Sequence, residues 1–93
     1  MIVGTATIDL IFYEPNSLKD KRRIVKSLIE TIKGKYNVSI GEVGFQDTWK
    51  NARLGIACVS TETSHANSII TSVINFIERD GRVIIQDYYI EIL

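Results

Sequence analysis

The chain alternates between stretches in which apolar side chains recur every second residue and stretches in which they recur every three to four residues. Residues 2–14 follow the two-residue period, which predicts a strand with one buried face. Residues 37–46, 52–60 and 82–92 have the apolar, β-branched composition of three further strands. The second strand changes parity part-way along, and we predict a β-bulge near Gly41 at that point.

Helical spacing marks the two segments that connect these strands. In residues 18–34 the apolar positions fall on one stripe, and Ser17 is expected to cap the helix that they form. Residues 62–79 predict a second helix, capped by Ser60 or Thr61. The outer face of this second helix is uncharged and contains modest helix formers, so packing against the rest of the protein must hold it.

The six elements follow one another in the order strand, helix, strand, strand, helix, strand. Because crossover connections are right-handed and connections do not cross, this order favours one four-stranded antiparallel sheet with both helices on one face. The prediction is therefore an α+β fold, a ferredoxin-like βαββαβ sandwich. A chain of 93 residues with one such set of elements is expected to form a single domain over residues 1–93.

Composition places the chain among ordinary globular proteins. Hydrophobic residues make up 45% of it, and one Pro and six Gly are too few for a disordered polypeptide. Cys58 is the one cysteine, so an intramolecular disulfide is excluded and a small core side chain is expected. The sequence shows no secretion signal and no apolar stretch near the roughly 18 residues of a membrane span. We therefore expect a cytoplasmic protein without a membrane partner.

The net charge of zero conceals a strong local asymmetry. Residues 17–36 contain seven Lys or Arg and two Asp or Glu, a local charge of +5 that the rest of the chain balances. Such a helix can contact successive phosphates, or it can be a solvated face that keeps the protein soluble. Lys21 slightly favours the anion-binding interpretation over the solvated face. It projects toward the apolar stripe of the helix, where a solvated face would not require a lysine. The candidate anion-binding residues of this helix are Lys19, Lys21, Arg22, Arg23 and Lys26.

A second candidate is the aromatic side chain in the polar turn between the second and third strands. Trp49 is followed by Lys50 and Arg53, and this combination is suited to stacking on a base or entering a pocket of a partner. Alternatively, Trp49 folds back and covers the core beneath the hairpin. The third strand lacks the aromatic residues on which RNA-recognition motifs stack bases. If RNA is bound, we expect the helix and the hairpin to bind it rather than the sheet.

Patterns typical of enzymes are missing from the sequence. His65, the one histidine, and Cys58 lie on different predicted elements, and no pairing motif joins them. A zinc site needs three or four convergent ligands, and the sequence contains no such cluster. No glycine pattern matches a phosphate-binding loop. We therefore expect neither catalytic residues nor a metal nor a cofactor.

Several segments together resemble one family of bacterial proteins. These segments are Ser17-Leu18-Lys19-Asp20-Lys21-Arg22-Arg23, Tyr36-Asn37-Val38-Ser39, Glu42-Val43 and Gln46-Asp47-Thr48-Trp49. They are similar to the YlxP-like family of unknown function, also called DUF503, over the whole length of the chain. The resemblance implies a small cytoplasmic ferredoxin-like protein. In many bacteria such genes lie near those for translation initiation and ribosome-binding factor A, which implies a role in RNA or ribosome biology.

The residues and the resemblance together favour an accessory protein that binds RNA or a ribosomal subunit through its basic first helix. In this hypothesis Trp49, Lys50 and Arg53 contribute secondarily. The alternative is a protein-interaction or small-ligand module, in which the helix binds an acidic partner protein instead of a nucleic acid.

We also expect a homodimer. If both helices cover one face of the sheet, large apolar side chains remain on the other face, whichever parity faces the helices. Pairing two sheets face to face, or edge to edge through the last strand, would bury these side chains. The competing explanation is that loops or the C-terminus fold over that face.

Overall fold

A computed structural model describes residues 1–13, 15 and 17–93 and contains six elements. They are β1 (Ile2–Phe12), α1 (Leu18–Lys35), β2 (Ser39–Gly44), β3 (Asn51–Ser60), α2 (Thr63–Glu78) and β4 (Val83–Ile92). The strands form one antiparallel sheet in the order β2-β3-β1-β4. The predicted ferredoxin-like βαββαβ fold is therefore confirmed.

One side of the sheet is buried beneath both helices. In β1 and β3 the even-numbered side chains point to this side, and Ile8, Leu10 and Leu54 are fully enclosed. The helices complete the same core with the buried side chains Val25, Leu28, Ile32, Ala66, Ile70, Val73, Ile74 and Ile77. Periods of two residues in the strands and 3.6 in the helices thus identify the buried faces.

The two helices begin differently. The Ser17 side chain accepts a hydrogen bond from the backbone N–H of Asp20 at 3.1 Å, which confirms the predicted cap of α1. The N-cap of α2 is Glu62, whose side chain makes no capping hydrogen bond, so the prediction of Ser60 or Thr61 is wrong. The Ser60 hydroxyl instead accepts from the Glu62 N–H at 3.2 Å and shapes the turn before the helix. Within the described residues, neither helix is long and apolar enough to cross a membrane.

Strand β2 is shorter than its predicted range of 37–46. The Val38 N–H donates to the Tyr36 carbonyl at 3.0 Å, so this segment forms a tight turn instead of joining the sheet. The predicted bulge exists, but it lies at Val43, where the register with β3 shifts between Glu42 and Gly44. The extra residue leaves Glu42 on the buried side and places Val43 against Gly55 on the opposite side.

Neither helix packs against the other side of the sheet, which we call the open face. It carries the odd-numbered side chains of β1 and β3 and their register partners in β4. Half of the ten exposed large hydrophobic side chains among the described residues lie there, namely Val43, Val59, Ile84, Tyr89 and Leu93. The apolar character expected of this face is therefore present.

Candidate nucleic-acid interface

Four cations form a continuous row on the exposed side of α1, and we call this row the basic stripe: Lys19, Arg22, Arg23 and Lys26. Arg22 and Arg23 each lie three or four residues from both Lys19 and Lys26, and this spacing keeps all four on one side of the helix over about 10 Å. Two carboxylates approach the stripe at long distances, Asp20 at 3.8 Å from Arg23 Nη1 and Glu30 at 4.0 Å from Lys26 Nζ. Because these pairs are exposed to solvent, they are weak and leave most of the positive potential of the stripe in place.

Lys21 does not belong to this surface. Its side chain is 0% exposed, and its ammonium group lies 2.6 Å from Glu42 Oε2 and donates to the Phe45 carbonyl at 2.7 Å. On the helix it lies about 150° from the middle of the basic stripe. The inclusion of Lys21 among the anion-binding residues is therefore wrong, because its charge is neutralised inside the protein. The prediction that it projects toward the apolar stripe is confirmed.

Phe45 begins the loop between β2 and β3, and its backbone conformation depends on these contacts. Its φ of 60° lies in the left-handed region, which is uncommon for a residue with an aromatic side chain. Its carbonyl accepts hydrogen bonds from Lys21 Nζ, from the Thr48 N–H at 3.1 Å and from the Thr48 hydroxyl at 2.8 Å. Helix α1 therefore helps to set the shape of the hairpin loop through Lys21.

The hairpin loop presents Trp49 to solvent. The side chain is 43% exposed and is not among the residues of the hydrophobic core. Lys50 Nζ lies 5.9 Å from the centre of its ring, close enough for a weak cation–π contact. The interpretation in which Trp49 covers the core is therefore wrong. An exposed indole next to a lysine remains available to a partner.

Arg53 lies on the open face, on the opposite side of the sheet from α1. Its Nε donates to Asp9 Oδ1 at 2.7 Å and its Nη2 donates to Asp9 Oδ2 at 3.2 Å, a two-pronged pair across β1 and β3. The guanidinium carbon also lies 4.8 Å from the centre of the Phe45 ring. Arg53 and the basic stripe thus face in different directions, and one flat surface does not contact both.

The Asp9–Arg53 pair makes a pH-dependent contribution to stability. Hydrogen bonds from Arg53 hold the pKa of Asp9 below its usual value near 3.8, although burial partly opposes this effect. A carboxyl group with a lowered pKa in the folded state stabilises the fold above its unfolded-state pKa. This contribution is lost as the pH falls through the lower, folded-state pKa.

Replacing Asp9 with Asn is therefore expected to reduce stability at pH 7 and to matter progressively less below about pH 4. Urea unfolding of both proteins between pH 7 and pH 2.5 measures the difference. Asp47→Asn is the matched control, because it removes an exposed carboxylate from the nearby hairpin loop. A destabilisation by Asp9→Asn that stays constant over this range would contradict the prediction.

Cys58 lies in β3 and His65 in α2, and each makes a local contact. No group of three or more His, Cys, Asp or Glu among them is arranged to hold a metal ion. Cys58 is buried, and its thiol lies 3.8 Å from the Ala66 carbonyl. His65 Nδ1 lies 2.8 Å from the Ser60 hydroxyl at the exposed start of α2. The same hydroxyl accepts a hydrogen bond from the Glu62 backbone N–H. These contacts fix local structure.

Comparison with known proteins identifies the family. A family model described as "Protein of unknown function (DUF503)" matches residues 3–90. The uncharacterized protein YlxP of Bacillus subtilis (strain 168) is 38% identical over 77 residues, which cover 83% of this chain and 84% of that protein. The predicted family is thereby confirmed, and the chain belongs to the DUF503 family.

Proposed function

We propose that this chain is a non-catalytic accessory protein that binds RNA, free or on a ribosomal surface, through the basic stripe. The observation that carries the proposal is the concentration of four exposed cations on the first nine residues of α1, in a chain whose net charge is zero. A solvated helix face needs only scattered charges, whereas here four cations lie within about 10 Å and two carboxylates approach them no closer than 3.8 Å.

The chemistry of the stripe suits a phosphate backbone. Arg22 and Arg23 can each donate two hydrogen bonds to one phosphate, and Lys19 and Lys26 add point charges at either end. Each phosphate contact releases counterions, so the affinity is expected to fall steeply with salt. Contacts to phosphates carry no sequence information directly, so we expect binding with little sequence preference.

The triple substitution Lys19→Gln, Arg22→Gln and Arg23→Gln tests this proposal. It should weaken binding to every RNA tested and lower the slope of log K against log salt concentration by about 2 to 3, since each lost contact accounts for about 0.7 to 0.9. Anisotropy of a labelled ribosomal RNA hairpin, titrated at several salt concentrations, measures both quantities.

A matched control removes three other exposed cations, Lys33, Lys35 and Arg79, by substitution with Gln. Lys33 and Lys35 lie at the opposite end of α1, about 20 Å from the start of the stripe. The control changes the net charge equally and should retain the salt slope of the wild-type protein. Equal losses in both variants would indicate a non-specific charge effect, and the absence of RNA binding at low salt would refute the proposal.

An acidic protein surface could bind the same stripe. A pull-down from lysate with and without nuclease separates the two partners, because capture through RNA is lost after nuclease treatment and capture of an acidic protein is not. Nuclease-resistant capture, together with no affinity for purified RNA, would replace our proposal with this second function.

A further inference from the structure

The two edges of the open face differ strongly in how far their side chains project from the sheet. One row of register partners crosses all four strands near their middle: Gly41 of β2, Gly55 of β3, Thr7 of β1 and Tyr89 of β4. At one end of this row the side chains are absent, and at the other end the Tyr89 ring is 64% exposed. The row therefore places a depression at one edge and a projecting aromatic ring at the other.

The depression is open and lined by small or apolar groups. It has a volume of about 460 Å³ and is bordered by Gly41, Val43, Gly55 and Ala57, with Thr5 and Thr7 on its β1 side. A Cβ atom at Gly41 would meet nothing within 4 Å, whereas at Gly55 it would meet Val43 at 3.0 Å. Free space thus lies above Gly41, and the Val43 side chain forms one wall beside it.

We propose that the open face binds a second copy of this chain, with Tyr89 of each copy seated in the depression over Gly41 of the other. A two-fold axis parallel to the strands, between β1 and β3, places β4 of one copy over β2 of the other. Rotation about this axis leaves the position of each residue along the strand direction unchanged, so Tyr89 of one copy comes to lie opposite Gly41 of the other. Packed sheets cross at about 30°. Because the row lies near the middle of the strands, this crossing shifts Tyr89 along the facing strand by only about one residue from Gly41.

The area available is sufficient for a dimer. Three strands of ten or eleven residues and the six-residue β2, about 4.8 Å apart, present about 590 Å² per copy, or about 1,200 Å² in total. This value reaches the lower end of stable interfaces between proteins, so we expect dissociation in the micromolar range. The face also carries half of the exposed large hydrophobic side chains of the described residues, which gives the association its driving force.

The charges on the open face are compatible with this pairing. Asp9 and Arg53 already neutralise each other within one copy. Asp87 of β4, the register partner of Asp9, is exposed and accepts a hydrogen bond from the Tyr88 backbone N–H. Under the same two-fold axis, Asp87 comes to lie opposite Gly44 of the second copy, one strand away from the Arg53 of that copy. Opposite charges therefore approach across the interface rather than like charges.

Exchanging the ring and the hole tests the proposal directly. Tyr89→Gly removes the ring and Gly41→Tyr fills the depression, and each should weaken dimerisation at least about tenfold. The double variant restores a ring opposite a glycine and should dimerise within about threefold of the wild-type protein. Light scattering and sedimentation equilibrium between about 1 and 100 µM measure the mass against the 10.5 kDa chain.

The chain offers a control for each change. Tyr88→Gly removes the adjacent ring, which belongs to the other side of the sheet, and Gly34→Tyr adds a ring on α1 where a Cβ also meets nothing within 4 Å. Both should remain dimeric, and circular dichroism verifies that all variants fold. A wild-type mass of one chain at 100 µM overturns the proposal. A dimer that neither single variant weakens, as pairing through the edge of β4 would give, also overturns the proposal. A double variant that dimerises no more tightly than the single variants overturns it as well. This inference does not depend on RNA binding.

Discussion

Glu42→Leu is expected to cost about 3–5 kcal/mol of the free energy of unfolding, one of the largest losses for a single substitution in this chain. The Lys21 side chain is 0% exposed, and without Glu42 its ammonium group would keep, among the described residues, the Phe45 carbonyl as its partner. A buried charge without a counter-ion is among the most destabilising defects in a folded protein. Urea unfolding at pH 7 measures the loss.

The double variant Lys21→Met, Glu42→Leu should recover most of that stability, because apolar side chains of similar size often replace a buried ion pair at little cost. Glu30→Leu is the matched control, since its partner Lys26 is exposed and the pair spans 4.0 Å. We expect this control to change stability by less than about 0.5 kcal/mol. If Glu42→Leu behaves like the control, Lys21 reaches solvent in the folded protein and our description of it is incorrect.

Ile70→Ala in α2 is expected to cost about 2–5 kcal/mol. The Ile70 side chain is 0% exposed and lies directly above Gly4, where an added Cβ atom would be 3.4 Å from Ile70 Cγ1. Removing it leaves a cavity between α2 and β1. Helix α2 has no side-chain cap, so it has little intrinsic stability with which to compensate.

Thr71→Ala changes the next residue on the exposed side of α2 and is the control for this effect. Because alanine is the better helix former, we expect unchanged or slightly higher stability. Chemical unfolding of the three proteins gives the comparison. If Ile70→Ala lowers the free energy of unfolding by less than about 1 kcal/mol, α2 packs loosely on the sheet. In that case packing against the sheet is not what holds α2 in its helical conformation.

The fold could be predicted because its main signals are periodic. Alternation in β1 and the apolar stripe of α1 depend only on the positions of apolar residues, and these determine which side of each element is buried. Where one residue can be inserted without changing that pattern, the prediction is less certain. The bulge illustrates this: the prediction placed it near Gly41, which would bring Val43 to the side of the buried Ile40, whereas it lies at Val43 and leaves that side chain exposed on the open face.

The candidate site was less predictable because charge at a position does not reveal its partner. Lys21 lies within a run of cations, and only its phase on the helix separates it from the exposed Arg22 and Arg23. Its partner Glu42 was not among the candidate site residues, although it has the parity of the buried Ile40, and an acidic residue at such a position is itself a signal of a buried pair. The left-handed conformation of Phe45 has no signal in the sequence, since it results from contacts with Lys21 and Thr48.

The position of β1 in the middle of the sheet has a consequence for the order of folding. Its two neighbours, β3 and β4, both follow it in the chain, and β4 begins about seventy residues after β1 ends. During synthesis β1 therefore waits with both edges unpaired until β3 emerges, and one edge stays open until β4 does. Contacts so distant along the chain slow folding, and an unpaired apolar strand is prone to join other chains. A nascent chain of this protein is thus most vulnerable to aggregation before its last strand is made.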